Sequence, residues 1–228
     1  MISKLKYKLP NYIKLPHKFD IEKLDKNLEK VIDHFQGVME ANKYLCANNH
    51  KLVASVYDHF EQINLTVFNG DISNDAPVTL EACESVYEAN SARARLRRDN
   101  VAPELDERNY NLPTELYTGS YFEEVVNSFK SPAIRVRLTK LKPGKELNPH
   151  IDYDPSYAVR IIIPIRTNPG VINKFWRKAE YEELKLDSGC PYFLNTGVLH
   201  SVQNSGTEDR IALMFSLDGT EDINSYIQ

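Results

Sequence analysis

The sequence predicts a mainly β fold, with strands in two facing sheets and supporting helices on the amino-terminal side. Three observations predict it. Val159-Arg160-Ile161-Ile162-Ile163-Pro164-Ile165 is a β-branched run of the kind that fills the space between two sheets. Arg135-Val136-Arg137-Leu138-Thr139-Lys140-Leu141 has the alternating character of a strand, and Lys142-Pro143-Gly144-Lys145 after it reads as a turn. Two further runs, Pro191 to Asn195 and Arg210 to Leu217, complete the β-rich second half.

Taken in order, the chain begins with a stretch that lacks the apolar core of a signal peptide. Asp20 can cap a helix in which Ile21, Leu24, Leu28, Val31, Ile32 and Phe35 recur on one face, and helical character extends towards Asn48. Val53 to Tyr57 and Gln62 to Phe68 read as strands, Asn69-Gly70-Asp71 as a turn, and Asp71 to Val78 as loop. From Glu88 to Asn111 the chain is a polar, mixed-sign run: a solvated face, or a lid whose Arg93, Arg95, Arg97 and Arg98 meet an anionic substrate group. Tyr117 to Phe129 reads as a helix with Tyr121, Phe122, Val125, Val126 and Phe129 on one side, ended by Ser131-Pro132. The whole, 1–228, is expected to form one domain: 1–130 as support and possible lid, 131–218 as the β-core that holds the chemistry, 219–228 as a tail.

Composition narrows the function classes. A net charge of −4 argues against a whole-protein electrostatic grip on nucleic acid. Cys46, Cys83 and Cys190 are odd in number and have no C-x-x-C spacing, so neither a disulfide framework nor a zinc site is indicated, and the expected compartment is the cytoplasm. No run approaches transmembrane length, so no membrane partner is expected.

The chemistry concentrates in Pro149-His150-Ile151-Asp152 and the distant His200. On an extended segment residues i and i+2 point to the same side. His150 and Asp152 can therefore reach one ion from a strand edge, with a neighbouring strand supplying His200. Two imidazoles and a carboxylate on one face of a metal, the other face open, is the ligand set of non-haem Fe(II) oxygenases. His-x-acid alone is cheap: His59-Phe60-Glu61 is a second instance, but it has no comparable frame of strands. Arg135, Arg137, Thr139 and Leu141 share one strand face, and Arg137 is a candidate to grip a substrate carboxylate unless that face meets solvent. Asn195 and Trp176 are candidates to line the cavity, Trp176 equally as packing.

The words "RVRLTKLKPGKELNPHID", "VRIIIPIRTN" and "GCPYFLNTGVLHSVQNSGTEDRIAL" resemble the aspartyl/asparaginyl β-hydroxylase family of 2-oxoglutarate-dependent oxygenases, including its bacterial free-proline hydroxylases and phage-type relatives. The resemblance runs from Tyr121 to Asp218. It implies a distorted double-stranded β-helix, a jelly-roll, cupin-like core buttressed by the amino-terminal helices. It implies that His150, Asp152 and His200 hold Fe(II), and that Arg210 pairs with the far carboxylate of the cosubstrate 2-oxoglutarate through its planar fork. Thr139 falls where a hydroxyl residue assists that binding, and Arg160 matches the Arg of the family's R-x-H strand motif. Here the sequence departs: Ile162 stands where the motif has His, and His150 to Arg160 is one residue longer than in the aspartyl hydroxylases. Arg210 is therefore the stronger cosubstrate anchor of the two.

The implied activity is hydroxylation of an unactivated C–H bond in a free amino acid or a residue of a peptide or protein, using O2 and releasing succinate and CO2. Two other classes share the fold expectation: a metal-dependent cupin enzyme without a keto acid cosubstrate, and a barrel that only binds. The first predicts no 2-oxoglutarate binding, and the second no metal affinity.

Overall fold

The computed structural model describes residues 4–42, 62–67 and 106–228, with backbone alone for 37–42. The strand expected at Val53 to Tyr57, the turn at Asn69 to Asp71, the loop up to Val78 and most of the mixed-sign run from Glu88 lie outside the described residues, as do Cys46, Cys83, His50 and His59.

Twelve strands are described in chain order: β1 (Tyr12–Lys14), β2 (Gln62–Asn64), β3 (Thr66–Val67), β4 (Leu112–Pro113), β5 (Ala133–Leu141), β6 (Glu146–His150), β7 (Val159–Arg166), β8 (Val171–Arg177), β9 (Glu180–Leu184), β10 (Tyr192–Leu194), β11 (Leu199–Asn204) and β12 (Arg210–Leu217). Six form one sheet in the order β1-β10-β7-β12-β5-β2, four form the facing sheet β6-β11-β8-β9, and β3 pairs with β4. All described pairings are antiparallel. This is the double-stranded β-helix expected, and its helical support is present.

The expected first helix is α1 (Ile21–Asn42). Asp20 caps it by accepting from the Lys23 amide at 3.1 Å. Leu24, Leu28, Val31, Ile32 and Phe35 are buried against the six-stranded sheet, each contributing roughly 1.5–3 kcal/mol as an upper estimate. Ile21, expected on the same face, is 39% exposed at the first turn. Arg166 at the end of β7 fixes the helix across the sheet by pairing with Asp25 at 2.6 Å and with Glu29.

The second helix is shorter than expected: α2 covers Tyr121–Val126 rather than Tyr117 to Phe129. Gly119 takes a left-handed φ of 72°, which ends the preceding turns, and Ser120 restarts the chain as the cap of α2. Phe122, Val125, Val126 and Phe129 still pack into the core as the pattern requires.

One face of the six-stranded sheet carries Ile161, Ile163, Ile165, Leu213, Phe215, Val136 and Leu138 into the core with the helices. The opposite face looks towards the four-stranded sheet. Register places Thr139 opposite Ala212, Arg137 opposite Met214, Met214 opposite Ile162 and Ser216 opposite Arg160, so these residues share that inner face. A separate cluster of Ile162, Phe175, Tyr192, Leu194 and Ala212 fills its apolar end.

Candidate metal centre

His150 is the last residue of β6 and His200 the second of β11, and the two are direct cross-strand partners. Their ring centroids lie 4.2 Å apart. Asp152 is not on the same strand, contrary to the simple i, i+2 expectation. It follows in the loop after β6, where its amide donates to the Thr196 carbonyl at 2.8 Å. The result is nevertheless convergent: one ligand atom from each of His150, Asp152 and His200 lies within 4.8 Å of the others.

Each imidazole is oriented by its own backbone. His150 Nδ1 meets the Asn148 carbonyl at 2.7 Å, and His200 Nδ1 meets the Val198 carbonyl at 3.0 Å. A carbonyl can only accept, so each Nδ1 donates and each Nε2 keeps its lone pair for a metal. Burial holds the His200 pKa down at about 4, which keeps that ring neutral, as a metal ligand must be. Phe175, opposite His200 on β8 and 1% exposed, closes one side of the ring at 6.1 Å between centroids. The donor set, its convergence and its fixed rings fit a two-His-one-carboxylate metal site.

Arg210, at the start of β12, is buried, and its Nη1 donates to the Thr139 hydroxyl at 3.0 Å. The two residues expected to act together are thus in contact. The acid that could have taken Arg210, its neighbour Asp209, pairs instead with Lys140 at 3.6 Å. Desolvation alone depresses the Arg210 pKa to about 10.

Arg160 is buried on β7, where its Nη2 reaches both oxygens of Glu107 at 3.2 and 3.3 Å. Glu107 also accepts from Arg135 Nη1 at 3.1 Å and from the Ser216 hydroxyl at 3.3 Å. Sequence reasoning left Glu107 within the mixed-sign run, read as a solvated face or a lid. It is 2% exposed, carried inwards by a short 3-10 turn, Glu107–Asn109. The adjoining Asp106 holds the Tyr157 hydroxyl and the Arg108 guanidinium, which lowers the Asp106 pKa to about 2.

Arg135 and Arg137 do not face solvent: they are 8% and 5% exposed. A bulge in β5, between the pairs Met214↔Arg137 and Ser216↔Ile134, gives Arg135 a left-handed φ of 51°. That conformation costs about 1–2 kcal/mol in a residue with a Cβ. Arg137 bonds the Arg135 carbonyl at 3.0 Å and contacts Met214 Sδ at 3.2 Å.

Two cavity candidates are placed elsewhere. Trp176 lies on the outer face of the four-stranded sheet against Tyr181, while its neighbour Phe175 faces inwards. Asn195 spends its amide donors on the carbonyls of Lys6 and Pro10, both at 3.0 Å. It belongs to a strap formed by residues 5–11. Arg177 holds the Leu9 carbonyl at 2.5 Å, Asp154 receives the Leu5 amide at 3.2 Å, and Lys6 Nζ donates to the Gly197 carbonyl at 2.7 Å. The strap therefore ties the Asp152 loop to the loop that leads into His200. Ile162, where the resemblance calls for His, is 2% exposed among Tyr192, Ala212 and Met214, so this part of the inner face is apolar.

Residues 108–219 match the family model described as aspartyl/asparaginyl β-hydroxylase, a little under half of the chain. No curated protein is significantly similar. Among solved structures, an oxidoreductase of the 2OG-Fe(II) oxygenase family from Burkholderia pseudomallei aligns at 14% identity and a TM-score of 0.34, over 46% of this chain and 53% of that one. A Pseudomonas putida prolyl-4-hydroxylase aligns at 17% identity and 0.32, over 42% and 59%. A viral collagen prolyl hydroxylase from Paramecium Bursaria Chlorella virus-1 aligns at 16% identity and 0.30, over 42% and 66%. The fold and the ligand triad suit the general chemistry of Fe(II)/2-oxoglutarate oxygenases. Through residues 108–219 this chain has a family-level similarity to the aspartyl/asparaginyl β-hydroxylases.

Proposed function

We propose that this chain is an Fe(II)- and 2-oxoglutarate-dependent dioxygenase that hydroxylates an unactivated C–H bond of a free amino acid or of an amino-acid residue in a peptide or protein. The observation that carries the reading is the pairing of a convergent His150-Asp152-His200 triad with Arg210, a buried cation whose recorded partner is the neutral hydroxyl of Thr139. A buried guanidinium without an acid is costly unless an anion completes it. A dicarboxylate cosubstrate does so.

In this reading His150, Asp152 and His200 hold the metal, and the bound Fe(II) supplies the O2 chemistry that oxidises the cosubstrate and the C–H bond. Arg210 and Thr139 take the distal carboxylate of 2-oxoglutarate. Arg160, fixed by Glu107, offers its remaining Nη1 to a ligand oxygen on the triad side, and Arg137 is the candidate for a substrate carboxylate. Residues 131–218 act as the catalytic core of one domain.

The test is anaerobic addition of Fe(II) and then 2-oxoglutarate to metal-free protein, following the weak visible charge-transfer band of the chelate. The band is expected in wild type, with Arg210→Ala requiring far more cosubstrate to develop it. Bound metal without a band would sink the oxygenase reading in favour of a cupin-type enzyme that needs no keto acid.

A further inference from the structure

Arg135, Arg137, Arg160 and Arg210 are all buried, and Glu107 is the buried carboxylate among the described residues. Its two oxygens are already committed to Arg160, Arg135 and Ser216. Arg160 Nη1, on the other side of the fork, is buried and has no acceptor. Arg160 pairs in register with Leu194, two residues before Thr196, whose carbonyl takes the Asp152 amide at 2.8 Å, so the Asp152 loop lies beside the end of the strand that carries Arg160. The guanidinium thus stands between an internal acid and a metal-binding acid. An arginine cannot discharge by losing a proton, so a buried one that loses its partner turns to the next acid within reach.

We propose that Glu107 is a positioning residue for the metal centre: by clamping Nη2 it keeps the Arg160 fork from closing on Asp152 and competing with the metal for that carboxylate. The proposal rests on the reading of His150, Asp152 and His200 as ligands. Two features of the fold serve the clamp. The bulge at Arg135, with its left-handed backbone, coincides with a second guanidinium on the same carboxylate. The 3-10 turn that delivers Glu107 lies at the edge of the family-matched segment 108–219.

The experiment is titration of full-length, metal-free protein with Co(II), read from the visible d–d bands, whose intensity reports coordination geometry. Wild type, Glu107→Gln, Arg160→Met and the double variant are compared. Glu107→Gln is expected to bind roughly 10- to 100-fold more weakly, with altered bands, as for loss of a group that orients a metal ligand. Arg160→Met alone keeps wild-type affinity, because Glu107 retains Arg135. The double variant returns to wild-type affinity, since the competing guanidinium is gone. A merely structural role would leave the double variant as weak as Glu107→Gln, and that result, or unchanged affinity in Glu107→Gln, overturns the proposal. Should Glu107→Gln fail to fold, Glu107→Asp, which keeps the charge but falls short by a methylene, is expected to lose part of the affinity and recover it with Arg160→Met; no such recovery likewise overturns it. Wild type that binds no Co(II) would instead overturn the metal-centre reading itself.

Discussion

Replacing Arg210 with Met is expected to make the ligand-free protein more stable while removing its response to 2-oxoglutarate. Burial lowers the Arg210 pKa from 12.5 to about 10. The charged form is therefore penalised in the folded state at every pH below that value. At 1.36 kcal/mol per pH unit the penalty is about 3 kcal/mol, and with Arg210 only 5% exposed little of it is screened. Met fills much of the same volume without a charge, at the loss of the bond to Thr139, worth about 1 kcal/mol. The net expectation is a gain of about 1–2 kcal/mol, or roughly 2–8 °C in Tm for a chain of this size. Losing the charge-assisted fork should cost on the order of 100-fold in 2-oxoglutarate affinity. The assay is thermal melting of metal-loaded protein under anaerobic conditions, with and without cosubstrate. Wild type should melt lower but rise with 2-oxoglutarate, whereas Arg210→Met should melt higher and stay flat. A less stable Arg210→Met protein, or one that 2-oxoglutarate stabilises as much as wild type, would refute the view of Arg210 as a buried cation awaiting an anion.

Other expectations concern the frame of the site. Asp106→Asn should destabilise the protein at pH 7 by about 0.5–1 kcal/mol, after discounting for the exposure of the Asp106–Arg108 pair. Because the folded pKa is depressed to about 2, that contribution is complete above the unfolded value near 3.8 and fades as pH falls between the two, so acid titration of urea stability should show the variants converging there. Phe175→Ala should cost about 3–5 kcal/mol in urea denaturation, since the ring is fully enclosed beside His200. Trp176→Phe should leave the 2-oxoglutarate titration unchanged, because the indole is on the outer face. Asn195→Leu strands the Lys6 and Pro10 carbonyls and should cost about 2–4 kcal/mol, with faster amide exchange in residues 5–11.

The triad was legible in the sequence because metal ligation restricts residue types and because the recognisable strands β5, β7 and β12 frame His150 and His200, whose own strands are short and mixed. The pairing of Arg210 with Thr139 was legible only through family resemblance, since they are separated by 71 positions and nothing local links them. The inner face of β8 was not legible: Val171, Asn173 and Phe175 alternate with Ile172, Lys174 and Trp176, both sets mix polar and apolar members, and period-two patterning gives the alternation without its phase. Glu107 was hidden for a different reason. Its burial depends on two arginines from distant strands, and among Asp106 and Arg108 it looks like any solvated acid. Bulges such as that at Arg135 add one residue without leaving a mark in the hydrophobic pattern.

The strap has a temporal consequence as well as a spatial one. Lys6 finds its acceptor 191 positions later, at Gly197. During synthesis at about 5–20 residues per second, residues 5–11 wait on the order of 10–40 s before the chain they grip exists. The loops around Asp152 and His200 are then tied together by an amino-terminal segment far from both in sequence, a step that high contact order makes slow. In the proposed reading, metal capture is accordingly an event of the finished chain: a nascent protein has His150 and Asp152 before it has His200 or the Gly197 carbonyl that the strap grips.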